Sequence, residues 1–240
     1  MTKKSVEPSV ADLKAAPGGA AAVDRALSLL TAFRSGDSAL TLAELSERTK
    51  LYKSTALRLL ASLEHARLVV RQPDGNYVLG VEVARLNRIF TASFSLETEV
   101  MPVLRNLVAD TRESAAFHVR QGDQRLCLYR VDSPQLVRDH IQAGDLLPLD
   151  RGAGGRVLSA FSGAKGPVYD VIRQEGIVVL DGDRVAELSG ISAPVFGAED
   201  GLIGALTLTM PTPRKQKRFV QAVRQAAALL TERLSGVSPP

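Results

Sequence analysis

Residues 41–65 read TLAELSERTKLYKSTALRLLASLEH, and this stretch decides the fold of the first part of the chain. Thr41 and Glu44 have the spacing of a capping box, in which the hydroxyl and the carboxylate each accept a hydrogen bond from the other residue's amide. A short helix through about Thr49 is therefore predicted. A second helix is predicted over about 53–65, with an apolar inward face formed by Ala56, Leu59, Leu60 and Leu63.

The residues on both sides extend this helix pair into a small domain. Apolar residues recur at helical spacing over 23–33 and predict a preceding helix. Two β-prone runs, 68–72 and 77–79, surround a turn at 73–76 and predict a hairpin. Residues 81–91 have a helical pattern again. Three helices, a two-stranded wing and a connecting helix are typical of a winged helix-turn-helix.

The third of these helices suits the major groove of DNA, which is about 12 Å wide. Lys53 can reach a phosphate there, and Ser54 and Thr55 are small donors at a helix start that itself favours phosphate. Arg58, one turn further on, is long enough to reach base edges or the backbone. The wing residues can touch the neighbouring minor groove. The candidate DNA-binding residues are Lys53, Ser54, Thr55, Arg58, Arg71 and Asn76.

The same residues also fit a plainer interpretation. Lys53 and Arg58 suit any solvated helix face, Ser54 suits a helix cap, and winged helices also serve as protein-binding modules. The distribution of charge mildly favours a polyanion as the partner. Residues 1–90 contain 13 Lys and Arg against 9 Asp and Glu, whereas residues 91–240 contain 17 of each.

The composition limits the class of protein. Of the 240 residues, 45% are hydrophobic and 23% are charged, which excludes a disordered chain. No apolar run approaches the roughly 18 residues of a membrane span, and the first twenty residues lack the apolar core of a signal peptide. Cys127 is the only cysteine, so we expect no disulfide and a cytoplasmic location. Residues 1–19 lack periodicity and are expected to form a flexible tail.

The rest of the chain has a different pattern. Amphipathic helices are predicted over 95–112 and about 215–234, with shorter helices over 157–161 and 167–174. Strands are predicted at 115–120, 125–131, 136–142, 177–180, 191–196 and 203–209. Helices that flank a run of adjacent, hairpin-type strands indicate an α+β sensor-like domain.

Several stretches of the chain resemble one family. Residues 21–33, AAVDRALSLLTAF, and 40–80 are similar to the DNA-binding domain of the IclR family of bacterial transcriptional regulators. The elements Lys-Ser-Thr…Arg-Leu-Leu, Leu-Glu and Tyr-x-Leu-Gly occur together at the family's spacing. Residues 146–162, LLPLDRGAGGRVLSAFS, and 190–211, GISAPVFGAEDGLIGALTLTMP, resemble segments of the family's C-terminal domain more loosely.

The resemblance implies an α+β chain with an N-terminal winged helix-turn-helix and a C-terminal GAF-like α/β sensor domain, joined by a connecting helix. The expected boundaries are a flexible tail over 1–19, a DNA-binding domain over 20–80, a linker helix over 81–94 and an effector-binding domain over 95–240. A homodimer or a dimer of dimers is also implied. Family members usually have a longer stretch where only residues 162–175 stand here, so shorter loops over the pocket are expected.

A candidate effector site lies in the second domain. The turn at Gly152–Gly154 precedes a helix, where exposed amides suit a carboxylate. Thr207 and Thr209 alternate with leucines, so both hydroxyls point to one face of a strand. An ordinary helix start and two β-forming threonines explain the same pattern. The resemblance places pocket residues at Leu147, Gly152, Ala153, Gly154, Asp181, Thr207 and Thr209, and it places Gly190 where some members have Cys.

Catalytic and metal chemistry are not indicated. His118 and His140 are isolated, and no nucleophile motif is present. A metal site formed by these histidines and Cys127 would match no common ligand spacing. The Gly-x-Gly at 152–154 lacks the rest of a dinucleotide fingerprint. We therefore expect neither an enzyme nor a cofactor, and Cys127 is expected to pack in the core.

The leading hypothesis is a ligand-responsive, sequence-specific DNA-binding transcription factor, either a repressor or an activator. The resemblance implies control of a catabolic operon in response to a small organic acid. The alternative is a winged-helix module that binds a protein partner or a small molecule without binding DNA. An enzyme built on the sensor domain is a third hypothesis, for which the sequence supplies no acid–base pair.

Overall fold

The computed structural model describes residues 8–34, 36–93 and 96–235. The chain divides near residue 93 into two compact units. No helix in the described ranges is both long and apolar enough to cross a bilayer.

The first unit consists of helices and one hairpin. Its elements are α1 (Val10–Leu13), α2 (Ala21–Thr31), α3 (Leu42–Thr49), α4 (Lys53–His65), β1 (Val69–Arg71), β2 (Tyr77–Leu79) and α5 (Val81–Ser93). Helices α2, α3 and α4 and the hairpin share one core, in which Leu29, Leu40, Leu45, Leu60 and Tyr77 are fully buried. The predicted order of helices and wing is confirmed.

The start of α3 has the predicted capping box. The Glu44 amide donates to the Thr41 hydroxyl at 3.2 Å, and the Thr41 amide donates to the Glu44 carboxylate at 2.8 Å. Helix α3 ends at Lys50, whose left-handed backbone, with φ of 54°, turns the chain toward α4. These two local features set the turn between the helices of the pair.

The tail segment differs from its prediction. Helix α1 lies within the expected flexible tail, and Ser9 and Asp12 form a capping box at its start. The Arg25 guanidinium, on α2, pairs with the Asp12 carboxylate at 2.8 Å. Local capping and one ion pair therefore order residues for which apolar periodicity gives no helix prediction. Residues 1–7 lie outside the described ranges.

The second unit has a six-stranded sheet. Its elements are α6 (Leu96–Thr111), β3 (Ser114–Gln121), β4 (Gln124–Val131), β5 (Leu146–Pro148), α7 (Ala153–Phe161), α8 (Pro167–Glu175), β6 (Val178–Asp181), β7 (Leu188–Phe196), β8 (Leu202–Pro211) and α9 (Arg218–Leu234). The strand order is β5-β4-β3-β8-β7-β6, and all neighbours are antiparallel. This architecture confirms the predicted α+β class.

The two faces of this sheet have different partners. Helices α6 and α9 pack on one face, over a large core that includes Phe117, Ile191, Leu206 and Leu208. Helix α7 packs across β7 and β8 on the other face. Alternation along β8 turns Leu206 and Leu208 to the large core and Thr207 to the α7 side. The polar side chains of the sheet therefore lie beneath α7.

The predicted strand at 136–142 is wrong. These residues form no strand, and the short strand β5 pairs with β4 instead, with Arg125 opposite Leu147. Leu136 is 99% exposed, so the apolar character of this segment does not reflect burial. Asp139 in the same segment is buried, and its carboxylate is paired with the guanidinium groups of Arg130 and Arg184. Side-chain ion pairs, rather than a strand ladder, hold the segment.

Candidate functional sites

The start of helix α4 is the first candidate site. Tyr52 precedes the helix and provides no side-chain cap, so the first-turn amides have no side-chain acceptor there. Lys53 and Ser54 are exposed in this turn, and Thr55 is half-buried. One turn on, Arg58 is exposed, whereas Ala56 and Leu60 are buried on the opposite face. An uncapped helix start with a lysine beside it can bind a phosphate.

Lys53 and Arg58 differ from a structural arginine of the same unit. Arg48 pairs with Asp37 at 2.5 Å and donates to the Ala32 carbonyl at 2.9 Å, which ties α3 to the end of α2. Among the described residues, neither Lys53 nor Arg58 forms an ion pair. Their charges are therefore available to an external anion.

The wing holds the other two predicted residues. Arg71 is exposed, with its guanidinium carbon 5.8 Å from the centre of the Tyr77 ring. The Asn76 side chain donates to the Asp74 carboxylate at 2.9 Å and thereby stabilises the tip of the wing. Arg71 thus keeps its charge at the surface, whereas the amide of Asn76 is used within the turn.

Sequence reasoning missed Tyr52. Its side chain is 64% exposed and lies next to the first turn of α4. An aromatic residue at a helix start, where Ser, Thr, Asp or Asn is usual, was the available clue.

A cavity in the second unit is the second candidate site. It lies between the sheet face formed by β3, β7 and β8 and the start of α7, and residues 183–185 line one wall. The cavity is narrow, and its atom-free space amounts to about 420 Å³ only when the opening to solvent is counted. Five of the predicted effector residues line it: Gly152, Ala153, Gly154, Thr207 and Thr209.

The other two predicted effector residues lie outside this lining. Leu147 packs against the buried Ala116, Cys127 and Ile141. Asp181 accepts a hydrogen bond of 2.6 Å from the Ser189 hydroxyl and pairs with Lys215. Because these contacts occupy the Asp181 carboxylate at the end of β6, the structure does not bring it to the cavity.

The close packing of the start of α7 on the sheet explains why residues 152 and 154 are glycines. A Cβ at Gly154 would lie 2.7 Å from Thr207 Oγ1 and 3.2 Å from His118 Nδ1. A Cβ at Gly152 would lie 3.0 Å from Arg125 Nη2, and the φ of 75° there also favours glycine. The glycine turn therefore brings the helix start against polar side chains of the sheet.

The structure adds His118, Arg125, Asp183, Arg184 and Ser189 to the predicted lining. Sequence reasoning missed these residues because their strands and loop converge only in the fold. The available clue was His118, which interrupts the apolar run of β3, whereas Arg125 follows the polar residues Asp123 and Gln124 and gave no such signal.

Asp183 caps the start of α7. Its carboxylate accepts from the Gly152 amide at 2.5 Å and from the Arg156 guanidinium at 3.1 Å. Burial alone would raise the pKa of Asp183, but these two hydrogen bonds hold it below its ordinary value. The chain's own carboxylate therefore binds the amide at which the sequence predicts an external one.

Arg125 is the main positive charge of the cavity. Its side chain is buried, and Nη1 donates to the carbonyls of Pro148 at 2.7 Å and Arg151 at 2.5 Å. Burial, aided by the like charge of Arg184, lowers the pKa of Arg125 to about 10, so the group remains charged at neutral pH. Within the described ranges no carboxylate forms an ion pair with it.

His118 lies beside Arg125 in the same polar layer. It is 3% exposed, and neither ring nitrogen has a hydrogen-bond partner among the described residues. Burial, together with the positive charges of Arg125, Arg130 and Arg184, holds the pKa of His118 well below its ordinary value. The imidazole is therefore neutral at physiological pH and has one donor and one acceptor nitrogen.

The residues of the suggested metal site do not meet. His118 and Cys127 are register neighbours on β3 and β4, but His140 is exposed. In the described part of the chain, no three His, Cys, Asp or Glu side chains are grouped so as to hold a metal. Burial raises the pKa of the Cys127 thiol to about 12, which suits the predicted packing role.

Comparison with known families identifies both units. The model of the IclR helix-turn-helix domain matches residues 22–73, and that of the bacterial transcriptional regulator IclR C-terminal domain matches residues 90–166. Together these matches cover more than half of the chain. The chain belongs to the IclR family of bacterial transcriptional regulators. The second match of this IclR chain ends at residue 166, within the stretch 162–175.

Individual IclR relatives agree with this assignment. The glycerol operon regulatory protein of Streptomyces griseus is 26% identical over 243 residues, covering 88% of this chain and 95% of the relative. The HTH-type transcriptional regulator Rv1719 of Mycobacterium tuberculosis is 32% identical over 144 residues, covering 60% of this chain but only 55% of the relative.

Solved IclR structures share the fold. A candidate IclR regulator from Silicibacter sp. TM1040 has a TM-score of 0.76 at 27% identity, covering 91% of this chain and 98% of that one. An IclR homologue from Microbacterium hydrocarbonoxydans, solved with 4-hydroxybenzoate, has a TM-score of 0.77 at 22% identity, covering 89% and 98%. The expected family and fold are thereby confirmed.

Proposed function

We propose that this IclR-family chain is a cytoplasmic regulator that binds a DNA operator through α4 and the wing and responds to a small organic acid in the cavity beneath α7. The observation that supports DNA binding most directly is the uncapped, exposed start of α4. There Lys53 and Arg58 present charges that no carboxylate of the described residues pairs with.

The proposed contacts divide by role. Lys53, Ser54 and the first-turn amides bind a phosphate and set the position of α4 in the major groove. Arg58 reaches base edges or the adjoining phosphate backbone, and Arg71 binds the backbone beside the wing. Asn76 contributes by holding the tip of the wing in shape through Asp74. Thr55, which is half-buried, completes the first turn.

The proposed effector is an anion, because the cavity contains a buried cation. A charge such as that of Arg125 is costly to bury without a counter-ion, and a bound carboxylate would supply one. The IclR homologue solved with 4-hydroxybenzoate also holds an organic acid, which supports this ligand class. The effector residues proposed from the predicted set are Gly152, Ala153, Gly154, Thr207 and Thr209, which line the cavity.

The proposed response is a change of operator affinity. A homodimer would place two copies of α4 about 34–36 Å apart, one helical turn of DNA. An acid that binds one arrangement of the dimer more tightly shifts the balance between arrangements, with a typical coupling of about 1–3 kcal/mol. We propose that residues 81–94 transmit this shift and that the protein regulates a catabolic operon. The protein would act by binding rather than by turnover of the acid.

DNase I footprinting tests the proposal. The probe is the DNA upstream of the protein's own gene, with a coding-region duplex of equal length as the control. The expected result is one protected region with two-fold symmetric half-sites, formed with the upstream probe only. Equal, diffuse protection of both probes, or none, would contradict sequence-specific binding and would favour the protein-partner alternative.

A further inference from the structure

Two buried polar side chains in the cavity have unused hydrogen-bonding groups. Both ring nitrogens of His118 and Nε of Arg125 have no partner among the described residues. Both side chains are more than nine-tenths buried, and both line the cavity. Buried polar groups are nearly always hydrogen-bonded, so unpaired ones that face a cavity point to a ligand.

Arg125 presents one edge of its guanidinium to the cavity. Nη1 is occupied by the carbonyls of Pro148 and Arg151 and lies close to Gly155 of α7. Nε and Nη2 form the other edge, and Nη2 approaches the start of α7 at Gly152. Two parallel N–H groups on one edge match the two oxygens of a carboxylate. This edge of the guanidinium can therefore bind the carboxylate of a ligand.

The hydrogen bond between Thr207 and Ser192 determines whether the Thr207 hydroxyl can donate to a ligand or only accept from it. The Ser192 hydroxyl donates its single proton to the Leu206 carbonyl at 3.0 Å. The 2.9 Å hydrogen bond between Ser192 and Thr207 must then be donated by Thr207. With its proton used, Thr207 Oγ1 can only accept hydrogen bonds from a ligand.

His118 provides both a hydrogen-bond donor and an acceptor next to Thr207. Its Nδ1 and Thr207 Oγ1 both approach the Cβ position of Gly154. Because the imidazole is neutral, one nitrogen accepts and the other donates. A hydroxyl group is the ligand group that satisfies this pair, since it can donate to Thr207 or His118 and can also accept from His118. His118 and Thr207 lie against Gly154, and Nη2 of Arg125 lies against Gly152, so all three side chains adjoin the same start of α7.

We infer that the cavity selects a small hydroxy acid: Arg125 binds its carboxylate and His118, with Thr207, binds its hydroxyl. This inference rests on the proposed function and narrows the effector class within it. Asp183 already occupies the Gly152 amide, so the ligand carboxylate goes to Arg125 rather than to the helix start.

Calorimetry with matched acids tests this selection. Full-length protein is titrated with pairs that differ by one hydroxyl: lactate and propionate, mandelate and phenylacetate, and 4-hydroxybenzoate and benzoate. In at least one pair the hydroxy acid should bind about ten-fold more tightly or better. Equal affinities within every pair, or no binding by any acid, would overturn the inference.

Variants test whether Arg125 binds the carboxylate and His118 the hydroxyl, with the pair of acids that shows the largest hydroxyl preference. Arg125→Met should weaken both of its acids by about 30-fold or more, whereas Arg125→Lys should restore part of the affinity. His118→Leu should reduce the preference for the hydroxyl to about two-fold or less, and His118→Gln, which can donate and accept, should retain most of it. Arg120→Met and His140→Leu remove exposed side chains of the same types and serve as controls.

Melting temperatures and operator binding of the same variants separate loss of folding from loss of acid binding. Each variant's melting temperature shows whether it folds, and the Lys and Gln variants test the roles even if Met or Leu is not tolerated. A His118→Leu protein that keeps the full hydroxyl preference overturns the assignment of that residue. Operator binding is measured on the same samples. If the unchanged protein binds the operator but shows no hydroxyl preference, this inference alone is refuted. If it binds acids but not the operator, the proposed function alone is refuted.

Discussion

The Asp183 carboxylate accepts a hydrogen bond of 2.5 Å from the amide of Gly152, the residue that precedes helix α7. This hydrogen bond links the segment that follows β6 to α7, the helix that covers the cavity. Arg156, one turn into α7, pairs with the same carboxylate at 3.1 Å. Opening of this contact would free both the helix start and one wall of the cavity.

Asp183→Asn should lower the free energy of unfolding by about 1–2 kcal/mol at pH 7, because asparagine keeps one acceptor oxygen but loses the charge that strengthens these hydrogen bonds. The pKa of Asp183 is lowered in the folded state, so its stabilisation is complete above the unfolded value near 4 and is lost as the pH falls through the folded value. Urea unfolding at pH 7 and pH 3 checks this. A wild type–variant difference that is as large at pH 3 would contradict the ionic role.

Asp139→Asn should be more costly. Its side chain is fully buried between Arg130 and Arg184, so the change leaves Arg184 without a carboxylate partner among the described residues and Arg130 with the half-exposed Asp132 alone. We expect a loss of about 2–3 kcal/mol in unfolding free energy. Asp132→Asn is the matched control, since Asp132 also pairs with Arg130 but is half exposed, and it should cost less than about 1 kcal/mol. Equal effects of the two changes would disprove the importance of the buried pair.

Arg58→Ala should weaken operator binding by about ten-fold or more without lowering the melting temperature appreciably, because the side chain is exposed and has no ion pair among the described residues. Arg105→Ala removes the same charge from the exposed face of α6 and should leave affinity nearly unchanged. Fluorescence anisotropy and thermal melts check both. A large drop in the melting temperature of Arg58→Ala would instead make the residue structural.

The double change Thr207→Val and Thr209→Val should leave operator affinity intact and remove the response to acid. Valine has nearly the shape of threonine, so the strand and its contact with α7 are preserved, whereas the acceptor oxygen beside Gly154 is lost. Anisotropy with and without the preferred acid measures the response. Unchanged acid affinity in calorimetry would exclude these threonines from the site.

The Cys127 thiol should be inert in the folded protein. It is fully buried, and a pKa raised to about 12 leaves almost no thiolate at pH 8. A thiol-reactive dye should label less than a tenth of the protein in an hour at pH 8, and should label one thiol per chain in guanidinium. Rapid labelling of the folded protein would show that β4 opens readily.

The helices of the first unit could be predicted because local patterns determine them. The capping box at Thr41 and the apolar spacing over 53–65 require no distant contact, and both are confirmed. The segment 136–142 could not be predicted in this way. Its apolar residues are exposed, and its conformation depends on Asp139 meeting arginines from β4 and from the segment after β6.

The cavity was predictable only in part, for the same reason. The glycine turn and the threonine alternation are local features, and five residues chosen from them or from the family resemblance line the cavity. Arg125 and His118 lie on other strands, and their proximity to Gly152 and Gly154 depends on the antiparallel order of the whole sheet. No local pattern contains that information.

The salt dependence of operator binding tests the central claim most directly. A dimer that uses Lys53, Arg58 and Arg71 of each chain contacts about six phosphates, so the logarithm of the association constant should fall against the logarithm of salt concentration with a slope of about −5. Arg58→Ala should flatten this slope by up to about 2 units. A steep, Arg58-dependent slope on the upstream duplex is the predicted result, and a flat slope or no binding would contradict the account.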